Sequence, residues 1–347
     1  MRLGIIGLPQ SGKTTLFNAL TRATQPVGQT GKMEIHTAVV DVPDPRVDKL
    51  SEMFKPKKTI YAKVTYVDIA GLDGSAAKGG IAGALLNQLT QLDGFIHVVR
   101  VFEDENVPHV NGSVDPARDI ASMDSEFLLN DLIAAERKLE RLVEEKKKGV
   151  GRDKDLVERE MVLFTRLHEA LSQEIPLRNV PIDDYEDKLL SGFGFLSRKP
   201  ILIVLNHSEG QTPPTIDYPH QHSKVVALQG KLEMEIAQLA PEEAQMFLAE
   251  YGIEEPSLNR MIRLSYELIG LQPFFTAGDD ECRAWTVRKG ATAPEVESWR
   301  RHASRHGSPR RSLHAPGTSK GSASLRSRRS TRPSPRRWAP ASWSRPT

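Results

Sequence analysis

A single cysteine, Cys282, stands in the 347-residue chain, so no intramolecular disulfide and no Cys-x-x-Cys metal site can form. The ten histidines are scattered and never form an H-E-x-x-H pair. Long apolar runs are also missing. Ile201 to Leu205 is among the longest, far short of the roughly 20 residues that span a bilayer. The N-terminal stretch Leu3 to Leu8 is too short for a signal-peptide core and is interrupted by Gly4 and Gly7. A cytoplasmic protein without a membrane segment is expected, and nothing points to DNA sequence readout. Acid is absent from Ser298 onward: those last 50 residues hold 13 Lys+Arg and no Asp or Glu, which leaves 34 bases against 45 acids in residues 1–297. The whole-chain net charge of +2 therefore averages a body of −11 with a strongly basic tail.

The first residues carry chemistry. Leu3 to Ile6 reads as a buried strand, Gly7-Leu8-Pro9-Gln10-Ser11-Gly12-Lys13-Thr14-Thr15 follows at once, and Leu16 to Leu20 has helical spacing. The pattern G-x-x-x-x-G-K-S/T is met in full, in the strand–loop–helix setting that a phosphate-binding loop needs. Its glycines let backbone N–H groups close on phosphate oxygens where a helix begins. Lys13 is placed as the catalytic cation on the β and γ phosphates, and the Thr14 hydroxyl as a Mg²⁺ ligand.

Three later stations fit the same scheme. Asp68-Ile69-Ala70-Gly71 closes the strand Ala62 to Ile69, where Asp68 can hold Mg²⁺ and the Gly71 amide can sense the γ-phosphate. Leu72 follows, where water-positioning GTPases carry Gln, so slow turnover is expected. Asn206-His207-Ser208-Glu209 follows the strand Ile201 to Leu205, at the place where guanine-reading proteins carry Asn-Lys-x-Asp. Glu209 sets the carboxylate one methylene away, and His207 lacks the lysine stem that packs on the base. Ala227-Leu228-Gln229 would be the last station.

Strands alternate with helical patterns, which argues a mainly parallel α/β sheet. Between Asp115 and Gln173, Leu128, Leu132, Leu139 and Leu142, then Leu156, Leu163, Leu167 and Leu171, recur at helical spacing around Gly149-Val150-Gly151. An inserted helical hairpin is expected there. Helical patterns are expected over 231–269, and strands at Phe274 to Thr276 and Arg283 to Val287. Two strands alone do not make a stable sheet. The tail holds 12 Ser and 6 Pro but no Ile, Val, Met, Phe or Tyr, so it is expected to be disordered. Its composition is that of GC-rich coding sequence read out of frame; the alternative is an RNA-binding arm in which Trp299, Trp338 and Trp343 stack on bases.

These motifs, with Val42-Pro43-Asp44-Pro45-Arg46-Val47-Asp48-Lys49-Leu50, Asp115-Pro116-Ala117-Arg118-Asp119-Ile120 and Thr276-Ala277-Gly278-Asp279-Asp280-Glu281-Cys282-Arg283-Ala284-Trp285-Thr286-Val287-Arg288-Lys289-Gly290, resemble the Obg-like ATPase (YchF-type) family over residues 1–294. The resemblance implies a P-loop nucleotide domain at 1–112 and 200–270, a coiled-coil hairpin at 113–199 and part of a β-grasp TGS domain at 271–297. The basic tail occupies 298–347. It also implies slow Mg²⁺-dependent ATP hydrolysis and association with the ribosome or its large subunit, with RNA as a further partner. By position, Gln10, Ser11, Gly12, Lys13, Thr14 and Thr15 would contact phosphates, and Asn206, His207 and Glu209 the base. A GTPase of the wider Obg type and a non-hydrolytic, nucleotide-stabilised scaffold remain the competing readings. The family's switch-I run is not in register: Lys32-Met33-Glu34-Ile35-His36-Thr37 stands there, so Thr37 or Thr30 would have to supply a second Mg²⁺ ligand.

Overall fold

Runs of nearly uninterrupted apolar residues predict strands covered on both faces. A computed structural model of the chain, described over residues 1–22, 35–69, 81, 83–148, 153–251, 253–292 and 294–296, lays those runs side by side. The main sheet has six strands in the order β2 (Ile35–Asp41), β4 (Lys63–Ile69), β1 (Arg2–Ile6), β5 (Gly94–Arg100), β6 (Ile201–Asn206), β7 (Ser223–Leu228). All neighbours are parallel except β2, which runs antiparallel to β4. Every residue of β5 and β6 is buried, so the sheet centre forms the core, with Ile5, Ile6, Ile96, Ile201 and Val204 wholly inaccessible.

The chain reaches β1 first and then works outward to both sides, to β4 on one and β5 on the other. That reversal opens a crevice beyond the carboxyl ends of the strands, the usual ligand position in open α/β sheets. Helices α1 (Lys13–Thr21), α3 (Gly83–Thr90) and α7 (Gly230–Gln238) follow β1, β4 and β7. The helical patterns expected over 231–269 resolve into α7, α8 (Pro241–Glu250) and α9 (Ser257–Leu268). Proline explains the breaks, because it disfavours helical geometry in the residue before it and offers no N–H. Ala240, just before Pro241, has ψ 150°, and Pro256 has ψ 135°.

Between β5 and β6 the chain leaves the sheet as α4 (Pro116–Lys148), 33 residues or about 50 Å long, and α5 (Lys154–Ser172), and returns through the short α6 (Asp184–Leu190). Ala135, Leu142, Leu163, Phe164, Leu167 and Leu171 fill the seam where the two helices pack. The glycine turn expected at 149–151 lies outside the described residues. Two buried ionic anchors hold the hairpin's root. Asp131 accepts from the N–H groups of Leu196 and Ser197 at 2.8 and 2.7 Å, and burial lifts its carboxyl to about 6. Lys199 Nζ donates to the carbonyls of Leu89, Thr90 and Leu92 at 2.7–2.8 Å, capping the end of α3.

Asp131 has a pH signature. Its folded-state pKa lies above the usual carboxylate value, so its contribution is fully present below pH ~4 and is lost as pH rises through about 6. In urea unfolding, the stability gap between the parent and Asp131→Asn is therefore expected to shrink between pH 4.5 and 7; a gap that widens would refute this account.

A second compact unit comprises Asp44–Ala62 together with the described residues from Gln272 onward. Helix α2 (Pro45–Phe54) is capped by Asp44, whose carboxylate accepts from the Arg46 N–H at 3.0 Å. Strand β9 (Glu281–Arg288) lies between β8 (Leu271–Thr276) and β3 (Lys58–Ile60), and it pairs in parallel with β3. The expected pair of strands thus gains a third from far earlier in the chain. Trp285 donates its indole N–H to Thr276 Oγ1 at 3.0 Å, and the Arg46 guanidinium lies over the Phe275 ring at 4.9 Å. Residues 298–347 lie outside the described residues. Among the described residues, no helix is long and apolar enough to cross a membrane.

Candidate functional site

At the carboxyl end of β1 the chain turns through Gly7 and Gly12, with φ 145° and 96°. A Cβ on Gly7 would lie 2.3 Å from the Val98 carbonyl oxygen, and one on Gly12 would lie 2.2 Å from Asn206 Nδ2. Only glycine fits either place. The loop between them wraps Lys13, the first residue of α1, whose Nζ donates to the carbonyls of Gly7 and Leu8 at 2.9 and 2.7 Å. The ammonium is thus bound by two weak acceptors that a phosphate can outcompete. Burial pulls the Lys13 pKa down to about 8, while Asp68 acts to raise it.

Asp68 stands on β4, one strand away, opposite Ile5 of β1 and His36 of β2. The Thr14 hydroxyl donates to its Oδ2 at 3.3 Å, and its buried Oδ1 has no hydrogen-bond partner. Burial raises the Asp68 pKa, opposed by Lys13, the Thr14 hydrogen bond and His36 in that order. A buried carboxylate oxygen without a partner, beside a hydroxyl and a lysine, fits a hard cation held by oxygen ligands. Among the described residues no cluster of three His, Cys, Asp or Glu could hold a metal by itself. Any Mg²⁺ here would share Thr14 and Asp68 with phosphate oxygens.

Asn206 ends β6 and uses both ends of its amide within the protein. Its Nδ2 donates to the Ser11 carbonyl at 3.0 Å, and its Oδ1 accepts from the Gly230 N–H at 3.0 Å. The side chain braces the phosphate loop against the start of α7. His207 N–H donates to the Leu228 carbonyl at 3.1 Å, with its ring partly exposed, and Glu209 is exposed. Gln211 links this loop back to β5, donating to the Val101 carbonyl at 3.0 Å. Gln10 is exposed at φ 61°, Thr15 is half-buried, and Ser11 is buried with its Oγ unpartnered. The structure therefore brings Gln10 to Thr15, Asp68 and Asn206 together, with His207 and Glu209 on the adjoining strand end. Gly71 and Ala70 lie outside the described residues, as does Thr30, whereas Thr37 is paired within β2 opposite Val67.

Strand β5, next to β1, carries two polar residues that no sequence motif marks. His97 of β5 is 1% exposed, and its pKa is pushed down to about 3 by burial and then by Lys13, so a neutral ring sits behind the loop. Arg100, three residues on, donates to the carbonyls of Phe102 and Val107 at 3.1 and 2.7 Å and pins the turn after β5. Polar His97 and Arg100 inside an otherwise apolar strand are the signal that could have found them.

A family model described as a 50S ribosome-binding GTPase matches residues 2–138. The ribosome-binding ATPase YchF of Bacillus subtilis (strain 168) is 39% identical over 305 residues, covering 84% of this chain and 82% of that protein. The chain belongs to the YchF ribosome-binding ATPase family. The YchF protein of Haemophilus ducreyi is 40% identical, covering 85% of this chain and 83% of its own. The solved structure of the Schizosaccharomyces pombe YchF GTPase matches with a TM-score of 0.71 at 28% identity, over 87% of this chain and 85% of that one. The YchF likeness thus extends through the hairpin, well past the residues matched by the family model.

Proposed function

We propose that the chain is a slow, Mg²⁺-dependent ATPase that acts as a nucleotide switch on the ribosome, through its large subunit. The observation that carries the reading is the convergence of Lys13, Thr14 and Asp68 at the carboxyl ends of β1 and β4. When bound, Mg²⁺ would neutralise charge on the β and γ phosphates, with Thr14 and Asp68 as its protein ligands. Lys13 would exchange its two carbonyl partners for phosphate oxygens. The N–H groups of residues 10 to 15 would take the remaining phosphate oxygens, and the Gly71 amide would report the γ-phosphate. No glutamine follows Gly71, so positioning and electrostatics carry the chemistry and turnover stays slow.

Adenine is favoured by what the base station lacks. A guanine-reading aspartate accepts from two donors at once, and a lysine stem covers the ring; here Glu209 is exposed and the His207 Nδ1 lies 3.0 Å from the Ser208 carbonyl. The GTPase reading keeps support from the matching family model and from the yeast relative, which is itself described as a GTPase. Calorimetry with ATP and GTP in Mg²⁺ separates the two. ATP is expected to bind at least ~10-fold tighter, about 1.4 kcal/mol, and tighter binding of GTP would overturn the assignment.

The lysine adds a pH test. Phosphate binding needs the Lys13 ammonium, which in the free protein is lost above about 8. ATP affinity should be flat between pH 6.5 and 7.5 and fall about tenfold by pH 9, one unit above that value. Equal affinity at pH 7 and 9 would show that the ammonium is not the phosphate's partner.

A further inference from the structure

Residues 207–222 carry His207 and Glu209 at one end and rejoin the sheet at β7, with no helix or strand between. So long a stretch without secondary structure is uncommon inside a compact domain, and it needs anchors of its own. Near the base station Gln211 supplies one. Its Oε1 accepts from the Ser208 N–H and hydroxyl at 3.2 and 3.1 Å, while its Nε2 donates to the Val101 carbonyl.

The far end of the loop is held by the helical hairpin. The Tyr218 hydroxyl lies 2.9 Å from each carboxylate oxygen of Asp124, near the start of α4. Arg178, on the single helical turn Leu177–Asn179 that follows α5, donates from Nη2 to that hydroxyl at 2.8 Å and to Asp124 Oδ1 at 3.3 Å. Asn179 closes on the same loop: its Oδ1 accepts from the Gln221 N–H at 2.8 Å, and its Nδ2 lies 3.0 Å from His220 Nδ1. Both limbs of the hairpin thus grip the loop, through a guanidinium that is 1% exposed.

We propose that Asp124 and Arg178 of the hairpin are positioning residues for the base station, holding through Tyr218 the loop that presents His207 and Glu209 to the nucleotide base. This rests on the base reading given above. Ile216 and the Tyr218 ring already pack against Val101, Ile120 and Ile203, so apolar contact alone would keep the loop on the protein. A buried ion pair adds little net stability, because desolvation offsets the attraction; what it contributes here is a single permitted arrangement. Pro213, Pro214 and Pro219 restrict the backbone between the anchors, so fixing Tyr218 is felt back toward Glu209.

The test compares two probes on the full chain. Magnesium tripolyphosphate engages the phosphate loop without a base, and ATP engages both. The parent is expected to bind ATP at least ~10-fold tighter than tripolyphosphate. Tyr218→Phe keeps the ring and removes only the hydroxyl. With the loop competent about a fifth of the time, its ATP affinity should fall about fivefold while tripolyphosphate binds as in the parent. In turnover the KM for ATP should rise by the same factor with kcat unchanged, the mark of a lost binding contact outside the reacting atoms. Asp124→Asn, 94 residues away in the chain, should reproduce the effect. The double variant should bind no more weakly than the weaker single, since both break one latch. Thermal unfolding accompanies each protein; should Asp124→Asn fail to fold, Tyr218→Phe alone decides.

A Tyr218→Phe protein that binds ATP like the parent overturns the proposal and leaves packing to anchor the loop. Equal losses for ATP and tripolyphosphate overturn it too, because they report a general structural defect. Single effects that multiply in the double variant would show Asp124 and Tyr218 acting independently, which also refutes the latch. A parent that binds tripolyphosphate as tightly as ATP would instead remove the base reading, and this proposal with it.

Discussion

The Lys13→Ala protein is expected to release phosphate from ATP two to three orders of magnitude more slowly than the parent, with a matching loss in ATP affinity. Removing one preorganised donor aimed at a developing negative charge costs about 2.7–4 kcal/mol, which is that range of rates. Here two losses combine. The ammonium that neutralises the β and γ phosphates disappears, and Asp68 loses the largest of the influences that hold its pKa down against burial. A more readily protonated Asp68 is a poorer Mg²⁺ ligand, so the Mg²⁺ concentration at half-maximal activity should rise in any residual turnover. Single-turnover phosphate release, beside thermal unfolding as a control for folding, measures both effects. A folded Lys13→Ala protein that hydrolyses ATP like the parent would remove the phosphate-loop mechanism and favour the scaffold reading.

The second large effect is expected at Asn206. Asn206→Ala leaves the buried Ser11 carbonyl and Gly230 N–H without the partners they have at 3.0 Å. Each orphaned group costs about 1–3 kcal/mol, so a loss of roughly 2–5 kcal/mol in stability is expected even without nucleotide, together with weaker binding of ATP and GTP alike. Asn206→Asp should not rescue it. A carboxylate can still accept from Gly230, but it turns a negative oxygen toward the Ser11 carbonyl. Denaturant unfolding of the free protein checks the point directly. If Asn206 instead contacted the base and braced nothing, the alanine protein would keep the parent's stability and change only the ATP-to-GTP ratio.

These two residues show how differently the site is written in the chain. Lys13 is legible from spacing alone, because a phosphate loop draws its whole function from a few consecutive residues whose backbone path is dictated by glycine. Asp68 is legible with the help of its strand. Asn206 is correctly placed at the end of a buried strand, yet its sequence neighbourhood suggests contact with the base, and its brace depends on Ser11 and Gly230, which lie 195 and 24 residues away in the chain. His97 carries no such mark, because one buried histidine in an apolar strand is compatible with many structures.

Local order and motif chemistry came from the sequence by itself: the buried strands with their missing alternation, the phosphate loop, the leucine spacing of the hairpin and the contrast between an acidic body and a basic tail. Periodicity and backbone restriction act over a few residues, so they can be read a few residues at a time. Which segments meet was decided only by the tertiary structure. Lys58–Ile60 completes a sheet with Glu281–Arg288, Asn206 ties the phosphate loop to α7, and Phe193 comes back from beyond α5 to lie beside Lys138 of α4. Such pairings are chosen by burial and by the need to satisfy every buried polar group, quantities summed over the whole chain, and no short stretch of sequence contains them.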